Sequence, residues 1–347
     1  MLNTDIALLT DPDYVAIVQE FASNQEALDI AFSNAWYKLV TRDMGPHTRC
    51  AGTNVPPPQD FQLPLPDTPM DLPSLTDTAC AIAKATCTIR QILAEDSSYA
   101  ALFVTLAYRC AATFRSTDYL GGCNGARIRF PPQIDWDINT GLDEVLGLLE
   151  PVKALYPDIS FADLIVLAAS VSLKEGASIP SLSYCKGRVD AVEDDPNNDL
   201  LSVLEPIREY DDVIVGVRDR MKIAGLSVAQ MVALAGRPRS SSYMVGLGYS
   251  GSYTDEGAGL SNTFYTLLLT ESWEEVPGMG GKEYQAVGKS GVYVLDTDLA
   301  LVWDPEFKAQ SILYAQDNEL FLEEFGSAWT ALMNADRFDG PTGSVCD

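Results

Sequence analysis

Histidine is almost absent from this sequence, since the 347 residues contain only His47. Zinc sites draw on several imidazoles or on paired cysteines, and His47 stands in a proline-flanked stretch with no second histidine to join it. The cysteines are odd in number and form no C-x-x-C pair, which favours buried thiols and a reducing compartment. We therefore expect no metal ion in this chain. The seven cysteines are Cys50, Cys80, Cys87, Cys110, Cys123, Cys185 and Cys346.

Positive charge and long apolar runs are also scarce. The chain has 23 Lys and Arg residues against 49 Asp and Glu, a formal net charge of −26. Such a surface repels phosphate backbones and anionic lipids, so we expect no nucleic-acid partner, and it serves either solubility or docking onto a basic partner. No apolar run approaches the roughly 18–20 residues that span a bilayer, and the N terminus lacks the pattern of a secretory signal. We expect no membrane insertion.

Two stretches of the sequence nearly repeat each other at a separation of 293 residues. The first begins "TDIALLTDP" and the second "TDLALVWDP", and the matches continue without a gap to pair Phe32 with Phe325 and Trp36 with Trp329. Solenoid repeats recur every 20–50 residues or so, which is far shorter than this separation. The pattern indicates two copies of one domain, of which the first is represented only by its last element.

Proline and glycine divide the chain into helical stretches and loops. Residues 12–42 predict a helix that begins behind Asp11 and Pro12. Residues 44–73 contain too many prolines for a helix or an inner strand, and we interpret them as an extended linker that lies on a neighbouring surface. The best strand signal is at 291–298, so the predicted class is mainly α with long irregular loops. Further helices are predicted at 75–95, 98–115, 142–155, 160–173, 200–220, 227–236, 261–270 and 305–334. Plausible N-caps are Ser98, Ser160 and Ser227.

From about residue 98 onward, six specific motifs follow one another along the chain. They are "LAYRCAATFRSTDYLGGCNGARIRF" (106–130), "DWDIN" (135–139), "SFADLIVLAASVSL" (160–173), "GRVDA" (187–191), "LSVAQMVALAGR" (226–237) and "LSNTFYTLLL" (260–269). Their order resembles the class I haem peroxidases, and most closely the C-terminal domain of the catalase-peroxidases. The segment "AFSNAWYKLVTRDMGP" before the linker resembles the closing helices of the haem domain in the same family.

The resemblance implies a helical haem-peroxidase-like fold and a division of the chain into four parts. Catalase-peroxidases carry two tandem copies of the fold, of which only the N-terminal copy binds haem. In this chain, 1–43 would be the closing segment of the haem copy, 44–73 the linker, 74–340 the haem-free copy and 341–347 a tail. Because the family sequence would normally continue before Met1, we expect that this start is a truncation or an expression product.

The positions that matter for haem chemistry carry the wrong residues. A haem peroxidase needs a proximal imidazole below the iron, and a distal His and Arg above it. By resemblance the distal positions are Thr105, Tyr108 and Arg109, and a permanently charged guanidinium cannot shuttle the peroxide proton. The proximal histidine is replaced by Arg237, which has no lone pair for a metal. We therefore expect no catalytic residues and no haem in this chain, the haem belonging to the related N-terminal domain.

Two aspartates correspond to the residue that orients the proximal histidine in the family. Asp298 is the copy in the haem-free domain, and we expect it to pair with Arg237 in the vacated site. Losing one partner of such a buried pair would cost about 3–5 kcal/mol. Asp5 is the same residue of the first copy, and we expect it to do no chemistry in this chain.

Several other patterns suggest function less specifically. "GLGYSG" at 246–251 satisfies G-x-G-x-x-G, but a dinucleotide site needs a strand before it and an apolar helix after it. The acidic run "EDDPNND" at 193–199 could bind calcium, yet it lacks the glycine and closing glutamate of an EF-hand loop. Four aromatic residues could carry radicals, although aromatic residues at helical spacing more often belong to a core. They are Tyr108, Tyr119, Trp136 and Trp329.

Three hypotheses about function remain open at this point. In the first, the chain is a haem-free domain that supports the haem domain of a hydrogen-peroxide-removing enzyme and contributes to its dimer. In the second, it is a complete pseudo-peroxidase that acts as a binding or assembly subunit. In the third, it is an active enzyme whose haem is held by a thiolate, through Cys110 or Cys185.

Overall fold

The computed structural model describes residues 1–50, 52–62, 64–66, 75–177, 179–192, 212–253, 259–278, 280–337 and 345–346. The chain divides into two compact units, Met1–Gly45 and Pro46–Asp347. Helices dominate both units, and the strands are few and short, so the predicted mainly α class is confirmed. Among the described residues, no helix is long and apolar enough to cross a membrane.

The first unit consists of three helices, α1 (Asn3–Ala7), α2 (Pro12–Ser23) and α3 (Gln25–Thr41). The carboxylate of Asp11 accepts hydrogen bonds from the first backbone N–H groups of α2, as an acidic cap before proline should. The sequence predicted one helix over 12–42, and that was wrong at Asn24. Its backbone is extended, with φ −134° and ψ 95°, because its side chain caps the next helix by accepting from the N–H of Ala27.

The second unit contains the remaining helices and the strands of the part of the chain that the structure describes. Its helices are α4 (Leu75–Glu95), α5 (Tyr99–Ala111), α6 (Leu142–Leu155), α7 (Phe161–Gly176), α8 (Val213–Ile223), α9 (Val228–Ala235), α10 (Ser241–Gly246), α11 (Thr263–Thr270), α12 (Asp296–Trp303), α13 (Pro305–Gln316) and α14 (Asn318–Asn334). The strands are β1 (Cys185–Lys186), β2 (Trp273–Val276), β3 (Glu283–Ala286), β4 (Tyr293–Leu295) and β5 (Val345–Cys346). β2, β3 and β4 form an antiparallel sheet in that order, and β1 pairs with β5.

One hydrophobic core runs through the second unit. α7 is buried from its first residue nearly to its last and packs against α5 and α4, while α9 packs against α13 and α14. A chain of contacting aromatic rings lies between α11, α13 and α14. It comprises Phe264, Tyr265, Tyr314, Phe321, Phe325 and Trp329. Two of these rings also hold α9, the helix before the candidate site, because the hydroxyls of Tyr265 and Tyr314 donate to its backbone carbonyls.

Several predicted elements differ from the observed ones at their ends. α5 begins after Ser98, whose side chain makes no capping hydrogen bond, whereas Ser160 and Ser227 cap α7 and α9 as predicted. The strand predicted at 291–298 covers only β4, because Asp298 belongs to the first turn of α12 and its carboxylate accepts from the N–H of Leu295. Part of the helix predicted at 200–220, residues 200–211, lies outside the described residues.

The internal repeat in the sequence is also a repeat in structure. α12, α13 and α14 begin 293 residues after α1, α2 and α3, and the last two pairs also end in register. The caps match as well, because Asp304 caps α13 as Asp11 caps α2. The stacked rings of Phe325 and Trp329 have centroids 5.9 Å apart, and those of Phe32 and Trp36 have centroids 6.1 Å apart.

Several of the cysteines are not the free thiols that the sequence favoured. Cys110, near the end of α5, forms a disulfide with Cys123 in the following loop. Cys185 is also disulfide-bonded, and it lies directly opposite Cys346 in the β1–β5 pair. The sequence favoured a reducing compartment because the cysteines were expected to be free thiols, and the disulfides remove that argument. Among the described residues the free cysteines are Cys50, Cys80 and Cys87.

Part of the segment 44–73 packs against the loop that follows α5. The guanidinium of Arg49 lies 3.6 Å from the ring centroid of Tyr119, and Arg127 donates a hydrogen bond to the carbonyl of Pro64 at 3.4 Å. His47 contacts the carbonyl of Pro56 at 2.8 Å through Nε2. Residues 51, 63 and 67–73 of this segment lie outside the described residues.

Candidate functional site

The three distal positions lie on the last two turns of α5. Thr105 is buried, and its hydroxyl donates back to the carbonyl of Ala101 at 2.8 Å, so it is committed within its own helix. Tyr108 and Arg109 follow one turn later and are partly buried. Burial raises the pKa of Tyr243 from α10 overall, although the positive charge of Arg109 acts to lower that pKa. Neither Thr105 nor Arg109 is placed to accept and return a proton.

The proximal position follows directly after α9. This helix begins with a capping box between Ser227 and Gln230, which fixes its first turn. Arg237 comes next and donates to the carbonyl of Leu234 at 3.1 Å. Its guanidinium carbon lies 3.7 Å from the ring centroid of Tyr108. The structure therefore brings the proximal and distal positions into direct cation–π contact.

Asp298 pairs with a different arginine from the one that the sequence suggested. Both of its carboxylate oxygens accept from the guanidinium of Arg239, at 2.5 and 2.6 Å. The side chain of Asp298 is 2% exposed and that of Arg239 is 11% exposed. The predicted pair between Asp298 and Arg237 was therefore wrong by two residues. Arg237 points to Tyr108 instead, and no carboxylate of the described residues is in contact with its guanidinium.

Arg239 is a second candidate partner in the sequence, but the sequence alone does not select it. It stands in "AGRPRS" with one proline between it and Arg237, and the fixed φ of that proline turns the two side chains of the loop to different neighbours. Arg237 alone was predicted as the partner of Asp298, because it stands at the position of the family's proximal histidine. The preference for a bidentate carboxylate partner applies equally to both arginines, so only the fold decides between them.

Burial and neighbouring charges shift the pKa values of the tyrosines and arginines in this region, and for Tyr108 the two effects are opposite. Burial raises the pKa of Tyr108, but the charges of Arg237, Arg220 and Arg109 outweigh it, and the net pKa is lowered. Burial raises the pKa of Tyr253 to about 12; its hydroxyl donates to the carbonyl of Arg237 at 3.0 Å. Burial lowers the pKa of Arg237 to about 10. Arg239 shifts the other way, because Asp298 outweighs burial and raises its pKa.

The contact between Arg237 and Tyr108 bears directly on whether a haem fits. A planar macrocycle between two side chains needs van der Waals contact on each face, or about 7 Å between them. The guanidinium and the ring are separated by 3.7 Å. A guanidinium also lacks a lone pair for iron. The residues at the five family positions therefore do not fit the group.

The other candidate features of the sequence do not join this site. The glycines at 246–251 follow helix α10 rather than a strand, so a dinucleotide site is not formed there. The acidic run at 193–199 lies outside the described residues. Cys110 and Cys185 are disulfide-bonded, so neither offers the thiolate that the third hypothesis required. Among the described residues, no cluster of His, Cys, Asp or Glu could hold a metal ion.

The aromatic residues considered as radical carriers fall into different environments. Trp329 is fully buried in the core, and Tyr119 lies under Arg49. Trp136 precedes a short 3-10 helix and is partly buried. Only Tyr108 lies in the candidate site. Asp5 belongs to the first unit, where its carboxylate accepts from the N–H of Leu2 at 2.6 Å, as Asp298 does from that of Leu295.

Comparison with known proteins shows which proteins this chain is similar to. Residues 85–238 match the peroxidase family model. The whole chain aligns with catalase-peroxidases, including those of Phenylobacterium zucineum (34% identity over 374 residues), Geobacillus kaustophilus (35% over 368) and Gloeobacter violaceus (35% over 380). The chain is a homologue of the catalase-peroxidases. Each alignment covers 98% of this chain but 48–50% of the relative, so the chain spans about half the length of the curated relatives it matches.

Proposed function

We propose that this chain is a haem-free peroxidase-fold domain that supports the haem domain of a hydrogen-peroxide-removing enzyme. The observation that carries the proposal is the contact between Arg237 and Tyr108, 3.7 Å from guanidinium carbon to ring centroid. It occupies the place where a haem would have to lie between the proximal and distal positions. The role in peroxide removal comes from the similarity to catalase-peroxidases.

The chemistry of the remaining residues supports a structural rather than a catalytic role. Cleaving a peroxide bond needs a group that takes a proton from one oxygen and returns it to the other. A guanidinium such as that of Arg109 has donors but no acceptor for a proton, and the hydroxyl of Thr105 is already donated to Ala101. The pair formed by Arg239 and Asp298 instead ties the loop after α9 to the start of α12.

The proposed partner is a second body of the same fold, and the first unit is where it would dock. Phe325 and Trp329 are 0% exposed in α14, whereas the matching Phe32 and Trp36 of α3 are 62% and 56% exposed. The residue types that form the core on α14 are therefore exposed on the matching face of α3. A haem-binding peroxidase domain has the complementary core, which supports the inference that α1–α3 complete such a domain. We further propose that the two copies arose by duplication.

The decisive experiment is a hemin titration of the purified chain, followed by the Soret absorbance. We expect no sharp Soret shift at one equivalent and no catalase or peroxidase activity. The matched positive control is the haem domain of a related catalase-peroxidase, titrated under the same conditions. Circular dichroism of the same sample must give a helical spectrum, so that a negative result comes from a folded protein. A stoichiometric Soret shift would overturn the proposal.

A further inference from the structure

An excess of positive charge lies around Tyr108. Arg237 stacks on its ring, and Arg109 and Arg239 both act electrostatically on Tyr108 and on Arg237. Among the charged groups that the structure describes as acting on Arg237, Asp298 is the one carboxylate, and Arg239 already holds both of its oxygens. The guanidinium charges of Arg237 and Arg109 therefore remain in the same partly buried region.

This arrangement is unusual for a chain whose formal net charge is −26. Like charges that share a poorly solvated region repel one another, and the cost is tolerated where a counter-charge completes the group. The carboxylates of an acidic surface are abundant, yet Arg237 and Arg109 make no ion pair with any described residue. No carboxylate of the described residues supplies the missing counter-charge, and a solute anion or a tyrosinate would supply it.

Hydrogen-bond donors in the same group are also unused. The Nε atoms of Arg109 and Arg239 are buried and have no hydrogen-bond partner. Arg237 has one donated bond, from Nη1 to the carbonyl of Leu234, although a guanidinium carries five donors. Buried donors without partners are rare in folded proteins. Donors and charge thus point to the same kind of ligand, an acceptor that is negatively charged.

We propose that Arg109, Arg237, Arg239 and Tyr108 form a binding site for a small oxyanion of the phosphate or carboxylate class. Planar guanidinium groups match these anions, because two parallel N–H donors meet two oxygens. The inference goes beyond the proposed function and does not depend on it, since it concerns the chain's own arginines whether or not a haem domain is the partner.

The test is isothermal titration calorimetry of the purified chain with inorganic phosphate, and with acetate in a separate arm, at fixed ionic strength maintained with chloride. We expect binding at one equivalent in at least one arm. R237Q should weaken that binding about tenfold or more, because it removes a charge-assisted contact. The matched control is R90Q, since Arg90 is an exposed arginine paired with Glu175; its affinity should equal that of the wild type.

Other outcomes would overturn the proposal. Absence of binding heat with both anions, an equal affinity in R237Q, or an equal binding heat with chloride alone would each do so. If R237Q does not fold, R109Q takes its place with the same expectation. Tyrosinate absorbance near neutral pH that Y108F abolishes would mean that Tyr108 itself supplies the counter-charge, and this too would overturn an external ligand. The hemin titration has a separate readout, so either proposal can fail alone.

Discussion

Arg239 holds both carboxylate oxygens of Asp298, with N–O distances of 2.5 and 2.6 Å. The pair joins the loop after α9 to the first turn of α12, two elements separated by 59 residues. The same carboxylate accepts from the N–H of Leu295 and so caps α12. One aspartate therefore fixes a helix start and neutralises a buried guanidinium. The tightness of this pair leaves Arg237 free to lie on Tyr108.

Asp298→Asn should destabilise the chain strongly. The change leaves the guanidinium of Arg239 buried without a counter-charge, and breaking a buried pair in this way costs about 3–5 kcal/mol. Urea denaturation followed by circular dichroism should give a free energy of unfolding lowered by that amount, with an unchanged m-value.

The control for this variant is the exposed pair between Arg90 and Glu175, whose side chains are 54% and 50% exposed. Glu175→Gln should change the free energy of unfolding by about 1 kcal/mol or less, because water screens exposed pairs. Equal effects of D298N and E175Q would contradict the structural role assigned to Asp298.

Tyr108 should ionise before the other buried tyrosines of this region. The net effect of its neighbouring arginines lowers its pKa, whereas burial raises the pKa of Tyr243 and Tyr253. Absorbance at the tyrosinate band should give an early titration phase that Tyr108→Phe removes. Tyr243→Phe is the control and should leave that phase in place. An unchanged early phase in Y108F would assign it to another tyrosine.

The lowered pKa of Tyr108 also predicts how stability depends on pH. An unfolded tyrosine has a pKa of about 10, so between the folded pKa and that value the unfolded state keeps a proton that the folded state has lost. Stability therefore rises with pH in this window. The contribution is fully present above the unfolded pKa and is lost as the pH falls through the folded pKa. The free energy of unfolding of Y108F should lack this rise.

The fold was largely accessible from the sequence, and the site only in part. Helical periodicity located α4 and α6 at their observed ends, because apolar spacing and capping residues are local signals. The breaks at Asn24 and Asp317 were missed, since an N-cap inside a long periodic stretch looks like one more polar residue. The arginine that pairs with Asp298 could not be selected, because that choice depends on how a loop meets a helix 59 residues away.

The disulfides were missed for a related reason. The cysteines are odd in number and widely spaced in the sequence, and this pattern argued for free thiols. A disulfide depends instead on the distance between the two Cα atoms, which for Cys110 and Cys123 is 4.8 Å. The loop after α5 folds back on the helix through the bond from the N–H of Gly122 to the hydroxyl of Thr113. Nothing in the local sequence distinguishes such a return from a loop that runs on.

Removing the bond between Cys110 and Cys123 should lower stability measurably. The bond closes a loop with a sequence separation of 13, and a loop of this size contributes about 3 kcal/mol in the chain-entropy account. The double substitution of both residues by Ser should lower the free energy of unfolding by about that amount. Cys80→Ser, at an exposed free cysteine, is the control and should have no effect. If the wild type under strong reductant is as stable as without it, the prediction fails.

The repeat provides a matched pair of tryptophans for the last prediction. Trp36 and Trp329 occupy the same position of α3 and α14, yet Trp36 is 56% exposed and Trp329 is 0% exposed. Trp329→Ala should lower the free energy of unfolding by about 3–5 kcal/mol, since it empties a packed site. Trp36→Ala should change it by about 0.5 kcal/mol or less. Acrylamide should quench the fluorescence of Trp36 much more strongly than that of Trp329.

Trp36→Ala, which should hardly change stability, should have a large effect on the binding of a partner. A haem domain of a related catalase-peroxidase that lacks its closing helices presents the core that the first unit would cover. Binding of the full chain to this domain, measured by calorimetry, should weaken by about 2 kcal/mol or more in Trp36→Ala, as expected for an aromatic anchor at the centre of an interface. The surface variant R90Q should bind like the wild type. If Trp36→Ala binds as tightly as the wild type, the exposed rings of α3 do not serve as the docking face, and the partner must be recognised elsewhere.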